Sequence, residues 1–256
     1  MPKSPPKRRR PKKPQTEAEF LAGYDASAYE RPSLTVDVAL LSVVDDALAT
    51  LLVRRTEHPW DGAAALPGGF VRMDESIEEA AERVLLTKAG LRDVFLEQLY
   101  TFGAVERDPR TRVVTVAHYA LVDAKRFEAI DQEEHPALTA RLSVPWEGET
   151  GGPVDVSIDG EPAELAFDHA DILGMAVKRI RGKLDYTPIG FQLLPPRFTL
   201  RQLQRVHEVV LDRPLNKDSF RRRMLASGQL EATGERQRDV DHRPAALYRF
   251  VRRSAV

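Results

Sequence analysis

The stretch Leu66 to Leu91, LPGGFVRMDESIEEAAERVLLTKAGL, constrains the fold more than any other part of the chain. Its LPGG opening, Leu66 to Gly69, reads as a turn. Ser76 to Ala89 is free of Pro and Gly and rich in Ala, Glu and Leu, which predicts a helix that Gly90 should stop. Two apolar, β-branched runs come before it, LTVDVALLSV from Leu34 and ATLLVRR from Ala49, and the Asp45–Asp46 pair between them predicts a hairpin. Strand-like runs follow at Phe95 to Val105 and Arg112 to Val122, joined by ERDPRT, whose Asp and Pro favour a turn. Pro145 to Pro162 is irregular, with a short hairpin expected around Asp159 and Gly160. A helical pattern resumes from Ala166 to Lys183, with Asp168 as its candidate N-cap. Pro195 and Pro196 mark passage into a second domain, and the boundary is expected near Thr187.

Charge is unevenly spread. The 256 residues carry 38 Lys and Arg against 39 Asp and Glu, a net charge of −1. Residues 1–14 nevertheless hold seven basic residues and no acid, and residues 197–256 hold fourteen basic against seven acidic. By subtraction, the segment between them holds seventeen basic against thirty-two acidic. An acidic body with a basic end is expected where only that end meets a polyanion, because neutralised phosphates supply most of the nonspecific affinity for nucleic acid. No apolar run reaches the ~20 residues of a membrane helix, and the basic N-terminus lacks a signal-peptide core, so no membrane partner and a cytoplasmic location are expected. The chain has no cysteine, which excludes disulfides, thiolate metal sites and cysteine nucleophiles. MPKSPPKRRRPKKP, combining Pro with like charges, is expected to be disordered over residues 1–16. It reads either as a basic arm, with Lys7, Arg8, Arg9 and Arg10 on phosphate, or as a solubilising tail.

The Leu66 to Leu91 stretch resembles the signature of the Nudix hydrolases, G-x5-E-x7-R-E-U-x-E-E-x-G-U, where U is bulky and aliphatic. Gly69, Glu75, Arg83, Leu85, Gly90 and Leu91 fall on its places after the customary LPGG. Three glutamates of that signature, which present carboxylates to a divalent metal beside a pyrophosphate, are here Val84, Thr87 and Lys88. A hard cation needs several oxygen ligands, and a lysine puts positive charge where the cation should sit. No catalytic residue and no metal ligand is therefore assigned, no cofactor is expected, and hydrolysis is expected to be lost. Glu79 is read as an i to i+4 partner of Arg83. What the box keeps is a candidate phosphate pocket made of Arg54, Arg55, Gly68, Gly69, Phe70, Glu75, Arg83, Lys88, Arg107 and Arg110. Arginine forks suit phosphate oxygens, an aromatic ring can stack on a base, and Lys88 is a candidate charge for a diphosphate in place of the metal. Trp60 is expected to pack in the core or at its rim.

Phe198 to Leu211 places Leu200, Leu203, Val206, Val210 and Leu211 at helical spacing. After the break DRPLN comes a short helix, KDSFRRRMLA, with Phe220, Met224 and Leu225 expected inward. Two strand-like ends, LEATGE and AALYRF, flank the polar span RQRDVDHRP, as a wing would. Helix, turn, basic helix and wing is the layout of a major-groove reader. Candidate DNA contacts are Thr199, Arg201, Asn216, Lys217, Ser219, Arg221, Arg222 and Arg223 on the helices, with Arg236, Arg238, His242 and Arg243 on the wing. A small helical module that binds protein is the alternative.

Taken in order, AEFLAGYDASAYERPSLTVDVALL, the LPGGF helix, AVERDPRTRVVTVAHYALV, LAFDHADIL, FTLRQLQRVHEVVLDRPLNKDSFRRRM and HRPAALYRF resemble the Nudix-related transcriptional regulators of the NrtR-like group. The resemblance implies an α/β (α+β) fold, with a Nudix-like mixed-sheet sandwich over residues 17–187 followed by a winged helix-turn-helix over 188–256. It further implies a homodimer on a palindromic double-stranded operator. Many members of the group repress NAD-metabolism genes in response to ADP-ribose or a related nucleotide, and others govern sugar use. The expected effector is thus a nucleotide sugar or sugar phosphate. An active Nudix pyrophosphohydrolase with an appended nucleic-acid-binding domain is the rival expectation.

Overall fold

A computed structural model describes residues 16–131, 133–238 and 243–251; Lys7, Arg8, Arg9, Arg10 and His242 lie outside them. The chain divides into two compact units, one ending at Pro32 and one beginning at Ser33. In the first, helix α1 (Glu17–Ala22) opens on a reciprocal capping box between Thr16 and Glu19, and a 3-10 turn follows at Ala26–Ala28.

The second unit begins with strands β1 (Ser33–Val44), β2 (Ala47–Arg54), β3 (Ala64–Ala65) and β4 (Gly68–Phe70), and then helix α2 (Ile77–Ala89). Strands β5 (Phe95–Phe102) and β6 (Val113–Leu121), helix α3 (Ala124–Glu128), and strands β7 (Ala137–Ser143), β8 (Asp155–Ile158) and β9 (Glu161–Pro162) come next. Helix α4 (His169–Lys183) leads through a 3-10 segment, Pro188–Leu193, to α5 (Leu200–Leu211), α6 (Lys217–Ala226), β10 (Leu230–Arg236) and β11 (Ala246–Phe250). The irregular text after Ala124 conceals α3 and β7, which the sequence reading did not anticipate.

One mixed sheet runs in the order β5-β6-β1-β2-β7-β8-β9, with β3 added to β2 and β4 to β1. β1 pairs with β6 in parallel and with β2 in antiparallel. Asp45 and Asp46 take φ of 45° and 60°, which makes the two-residue turn whose twist matches a hairpin. β1 is covered on both faces, so its text is apolar almost throughout. Val36, Val38 and Leu40 pack with Ala80, Ala81, Val84 and Leu85 of α2, whereas Ala39 and Leu41 belong to the core shared with Ile172, Leu173, Ala176 and Ile180 of α4. That second core continues past residue 187 through Ile189, Phe191 and Phe198 to Leu203, Val206, Phe220 and Met224.

α2 follows its caps closely. Ser76 and Glu79 form a capping box, and Gly90 closes the helix at φ 63°. A side chain at Gly90 would meet the His135 ring at 2.7 Å as well as adopt a left-handed backbone. Two expectations need correction. Glu79 does not pair with Arg83, because its carboxylate is taken by the Ser76 N–H at 2.7 Å. Asp168 makes no side-chain cap on α4, because Arg107 claims both its oxygens; α4 starts at His169 after Phe167 turns left-handed at φ 56°.

Candidate functional site

A cleft of about 340 Å³ opens along β1, the ends of β2 and β4, and the loops that carry Arg107 and Phe167. Of the ten residues expected at a ligand site, Arg54, Arg55, Gly68, Gly69, Phe70, Lys88, Arg107 and Arg110 line it. Hairpin register brings Arg54, the last residue of β2, and Arg55 just after it to its lining. Arg54 Nη1 donates to Gly62 O at 2.8 Å, and Arg55 Nε donates to Pro59 O at 2.8 Å while its guanidinium lies 4.9 Å from the Phe167 ring centroid. Gly68 is required by close approach, since a Cβ there would stand 2.2 Å from Asp37 Oδ1 and 2.9 Å from Val36 O.

The other two arginines hold the cleft together. Arg107, with its side chain 5% exposed, forks onto Asp168 at 2.9 and 2.6 Å and reaches Asp37 at 3.3 Å. Burial opposes its charge, but the Asp168 hydrogen bonds and the two carboxylate charges outweigh that and raise its pKa. It thereby ties β1 to the start of α4. Arg110 is held in the same way by Asp108, at 3.0 and 2.8 Å, although almost half of its side chain stays exposed.

Asp37, Phe167 and His169 also line the cleft and were not singled out in the sequence. Asp37 carried a signal: an acid inside an apolar strand covered on both faces needs a buried partner. His169 is buried, and its Nδ1 accepts the Leu66 N–H at 2.9 Å, which puts the ring proton on Nε2, 3.8 Å from Asp37. Burial lowers its pKa against the opposing pull of Asp37 and Asp168, so the imidazole is neutral near pH 7.

Glu75 and Arg83 stand outside the cleft lining. Arg83 Nε donates to Glu75 at 2.8 Å and its Nη2 to Phe70 O at 3.1 Å, while the Arg72 N–H takes the other Glu75 oxygen at 2.9 Å. The pair pins the loop between β4 and α2. The Arg83 hydrogen bond, opposed by partial desolvation, holds the Glu75 carboxyl down at about 2.

A divalent cation does not fit the altered box. Val84 is buried beneath Gly69, the Thr87 hydroxyl donates back to Arg83 O at 2.7 Å, Lys88 is a cation, and both Glu75 oxygens are engaged. Among the described residues no three His, Cys, Asp or Glu side chains converge as a metal site would require.

The basic end forms two helices and a hairpin. Thr199 and Gln202 make a capping box on α5, so Thr199 is buried as a cap rather than offered to a surface. Asn216 caps α6 by accepting the Ser219 N–H at 3.0 Å. Phe220 and Met224 are buried as expected, with the Phe220 ring set edge-on to buried His207 at 5.0 Å. Leu225 departs from expectation at 44% exposed, because 100° per residue carries it beyond the Phe220–Met224 face. The same spacing puts Arg222 opposite that face, with Arg221 and Arg223 on its flanks. Arg223 donates to Asp185 at 3.1 Å and lies 5.6 Å from the Phe220 ring, whereas Lys217, Arg221 and Arg222 are exposed with no acidic partner within 4 Å among the described residues. Arg201 is likewise exposed on α5. On the wing, Arg236 donates across the hairpin to Pro244 O at 3.2 Å, and Arg238 and Arg243 are exposed.

The cleft and helix α5 are joined by α4. Its first residues hold the cleft through Asp168 and His169. Near its far end, buried Arg181 donates to Val210 O of α5 at 2.8 Å and to Trp146 O and Gly148 O at 3.1 and 3.2 Å. Arg205 of α5 adds a bond to Asp46 in the β1–β2 turn at 2.6 Å.

Comparison with known proteins agrees with this architecture. The NUDIX domain family model matches residues 33–147, and that of the NrtR DNA-binding winged helix domain matches residues 190–250. The ADPR responsive transcriptional repressor NtrR of Acinetobacter baylyi is 38% identical over 242 residues, which cover 92% of this chain and 89% of that protein. The crystal structure of Shewanella oneidensis NrtR complexed with a 27mer DNA superposes with a TM-score of 0.68 at 33% identity, covering 85% of this chain and 93% of that one. A MutT/nudix family protein from Enterococcus faecalis superposes with a TM-score of 0.75 at 29% identity, covering 93% of this chain and 94% of that one. A mixed Nudix sheet followed by a winged helix, matched along nearly its whole length to such a repressor, places this chain in the NrtR family of Nudix-related transcriptional regulators.

Proposed function

We propose that this chain is a DNA-binding transcriptional repressor whose Nudix domain binds ADP-ribose, or a nucleotide close to it, and does not hydrolyse it. The observation that carries this reading is the near full-length likeness to an ADPR responsive repressor. The cleft supports it chemically: Arg54, Arg55 and Lys88 meet phosphate, and Phe70, 52% exposed, offers a face for a base. The division of labour is residues 1–16 as a basic arm, 17–187 as the effector domain and 188–256 as the reader. The active unit is a homodimer, which sets two recognition helices on a palindromic operator controlling NAD or sugar metabolism genes. Arg222 reads base edges, while Lys217, Arg221, Arg201, Arg236, Arg238 and Arg243 supply phosphate contacts. The protein acts in the bacterial cytoplasm, associated with the nucleoid when bound; no helix among the described residues is long and apolar enough to cross a membrane.

Selection of duplexes from a random pool by the full-length protein tests the reading. The expected result is a two-fold symmetric site, steeply salt-dependent binding, and an affinity that changes when ADP-ribose is added. Equal binding to any duplex, or indifference to ADP-ribose, overturns it. Robust magnesium-dependent cleavage of ADP-ribose that disappears in Glu75→Gln would instead establish the hydrolase.

A further inference from the structure

We infer that Lys88 takes over the electrostatic work of the divalent cation, so that this cleft binds a nucleoside-diphosphate effector without metal. The inference rests on the effector reading above and deepens it. Three glutamates at positions 84, 87 and 88 would carry a formal charge of −3, and would repel a diphosphate unless a cation lay between them. Val84, Thr87 and Lys88 carry +1 instead. Three glutamates loaded with one divalent ion total −1, so this helix end is two charges more favourable to an anion with no ion bound.

The surroundings leave that charge free to act. Val84 is buried against the sheet, and Thr87 is turned back onto its own helix, so neither competes at the cleft surface. Lys88 lines the cleft and has no carboxylate within 4 Å among the described residues. Of the other cations there, Arg107 and Arg110 are outnumbered by the three carboxylates of Asp37, Asp168 and Asp108, while Arg54 and Arg55 donate to backbone carbonyls and keep their net charge. Among these groups the cations left for a ligand are Arg54, Arg55 and Lys88, against Glu57 and the one surplus aspartate. A diphosphate bridging two nucleosides or sugars brings two negative charges, which the three unneutralised cations can pair.

Calorimetric titration of ADP-ribose into the full-length protein, in EDTA and in magnesium buffers, tests the inference. The parent should bind equally in the two, within about twofold, and Lys88→Gln should weaken binding about tenfold in both, as loss of a charge-assisted hydrogen bond does. Lys88→Arg should retain binding, and Lys88→Glu should bind weakly in EDTA and recover part of the loss with magnesium. Because Lys88 is exposed on α2, equal melting temperatures are expected to show that these variants fold. Loss of parent binding by more than about tenfold in EDTA, or parent-like binding by Lys88→Gln, overturns the inference. Absence of binding in both buffers instead overturns the effector reading, and the inference falls with it.

Discussion

Helices α2 and α6 put their charged residues to opposite uses. On α2 charges within the motif stretch are consumed by the fold: Glu79 closes the cap on Ser76, and Arg83 is locked to Glu75. Glu78 and Glu82 stay exposed, and among the groups of the altered box Lys88 alone faces the cleft unpaired among the described residues. On α6 a single bond, from Arg223 to Asp185, pairs a cation, and Lys217, Arg221 and Arg222 remain unneutralised on the surface. Charge that already has a partner positions backbone. Charge without one represents unspent binding capacity, because the desolvation and pairing of that group await a ligand. A helix that looks catalytic in the sequence is therefore mainly scaffold, and a short basic helix carries the surface chemistry.

Four measurements test this contrast. The largest effect is expected for Arg222→Ala, which should weaken operator binding roughly ten- to a hundredfold while leaving ADP-ribose affinity intact; Arg223→Ala should cost less, since that guanidinium is shared with Asp185. Gel-shift titration of both variants reads the difference, and equal losses would show that the Asp185 bond breaks on DNA. Next, Gly68→Ala must push Asp37 or the Val36 carbonyl aside, and should destabilise by about 1–3 kcal/mol and impair effector binding, seen by melting and calorimetry. An unchanged melting temperature would mean the cleft floor is looser than the packing indicates.

The other two concern pH. His207, beneath Phe220, has its pKa lowered chiefly by burial against the raising effect of its bond to Leu203 O. The unfolded chain therefore binds a proton more readily, and the stability tied to the neutral ring is present above about 6.5 and lost as pH falls below it. Melting temperature should drop between pH 7.5 and 5.5, less steeply in His207→Gln; parallel curves would remove His207 from the account. The smallest effect belongs to the α2 side. The depressed carboxyl of Glu75 contributes stability that is complete above its ordinary value of 4.5 and fades as pH falls toward about 2. Glu75→Gln should flatten that lower window only.

Much of this was legible in local text. The Asp45–Asp46 turn, the stop of α2 at Gly90, the Asp159–Gly160 hairpin and the span of α6 follow from turn chemistry and breakers that act over a few residues. β7 and α3 escaped because short elements set among polar residues take their stability from neighbours, not from their own pattern. The cleft was half legible: glycines and arginines around a motif announce phosphate, but Asp37, Phe167 and His169 are spread over more than 130 positions and meet only when α4 folds onto β1.

Local text alone announces many of the strands and helices, though not α3 or β7, together with the loss of the carboxylate cluster at 84, 87 and 88 and the segregation of positive charge to the ends. These are properties of residue identity and short spacing. The tertiary structure decided which charges are left over. Arg107, Arg110 and Arg83 read like ligand arginines until Asp168, Asp108 and Glu75 are seen to hold them, while Lys88, a candidate on the same footing, is left lining the cleft without such a partner among the described residues. Coulombic pairing depends on distance in space, and the chain sets that distance only after it has packed.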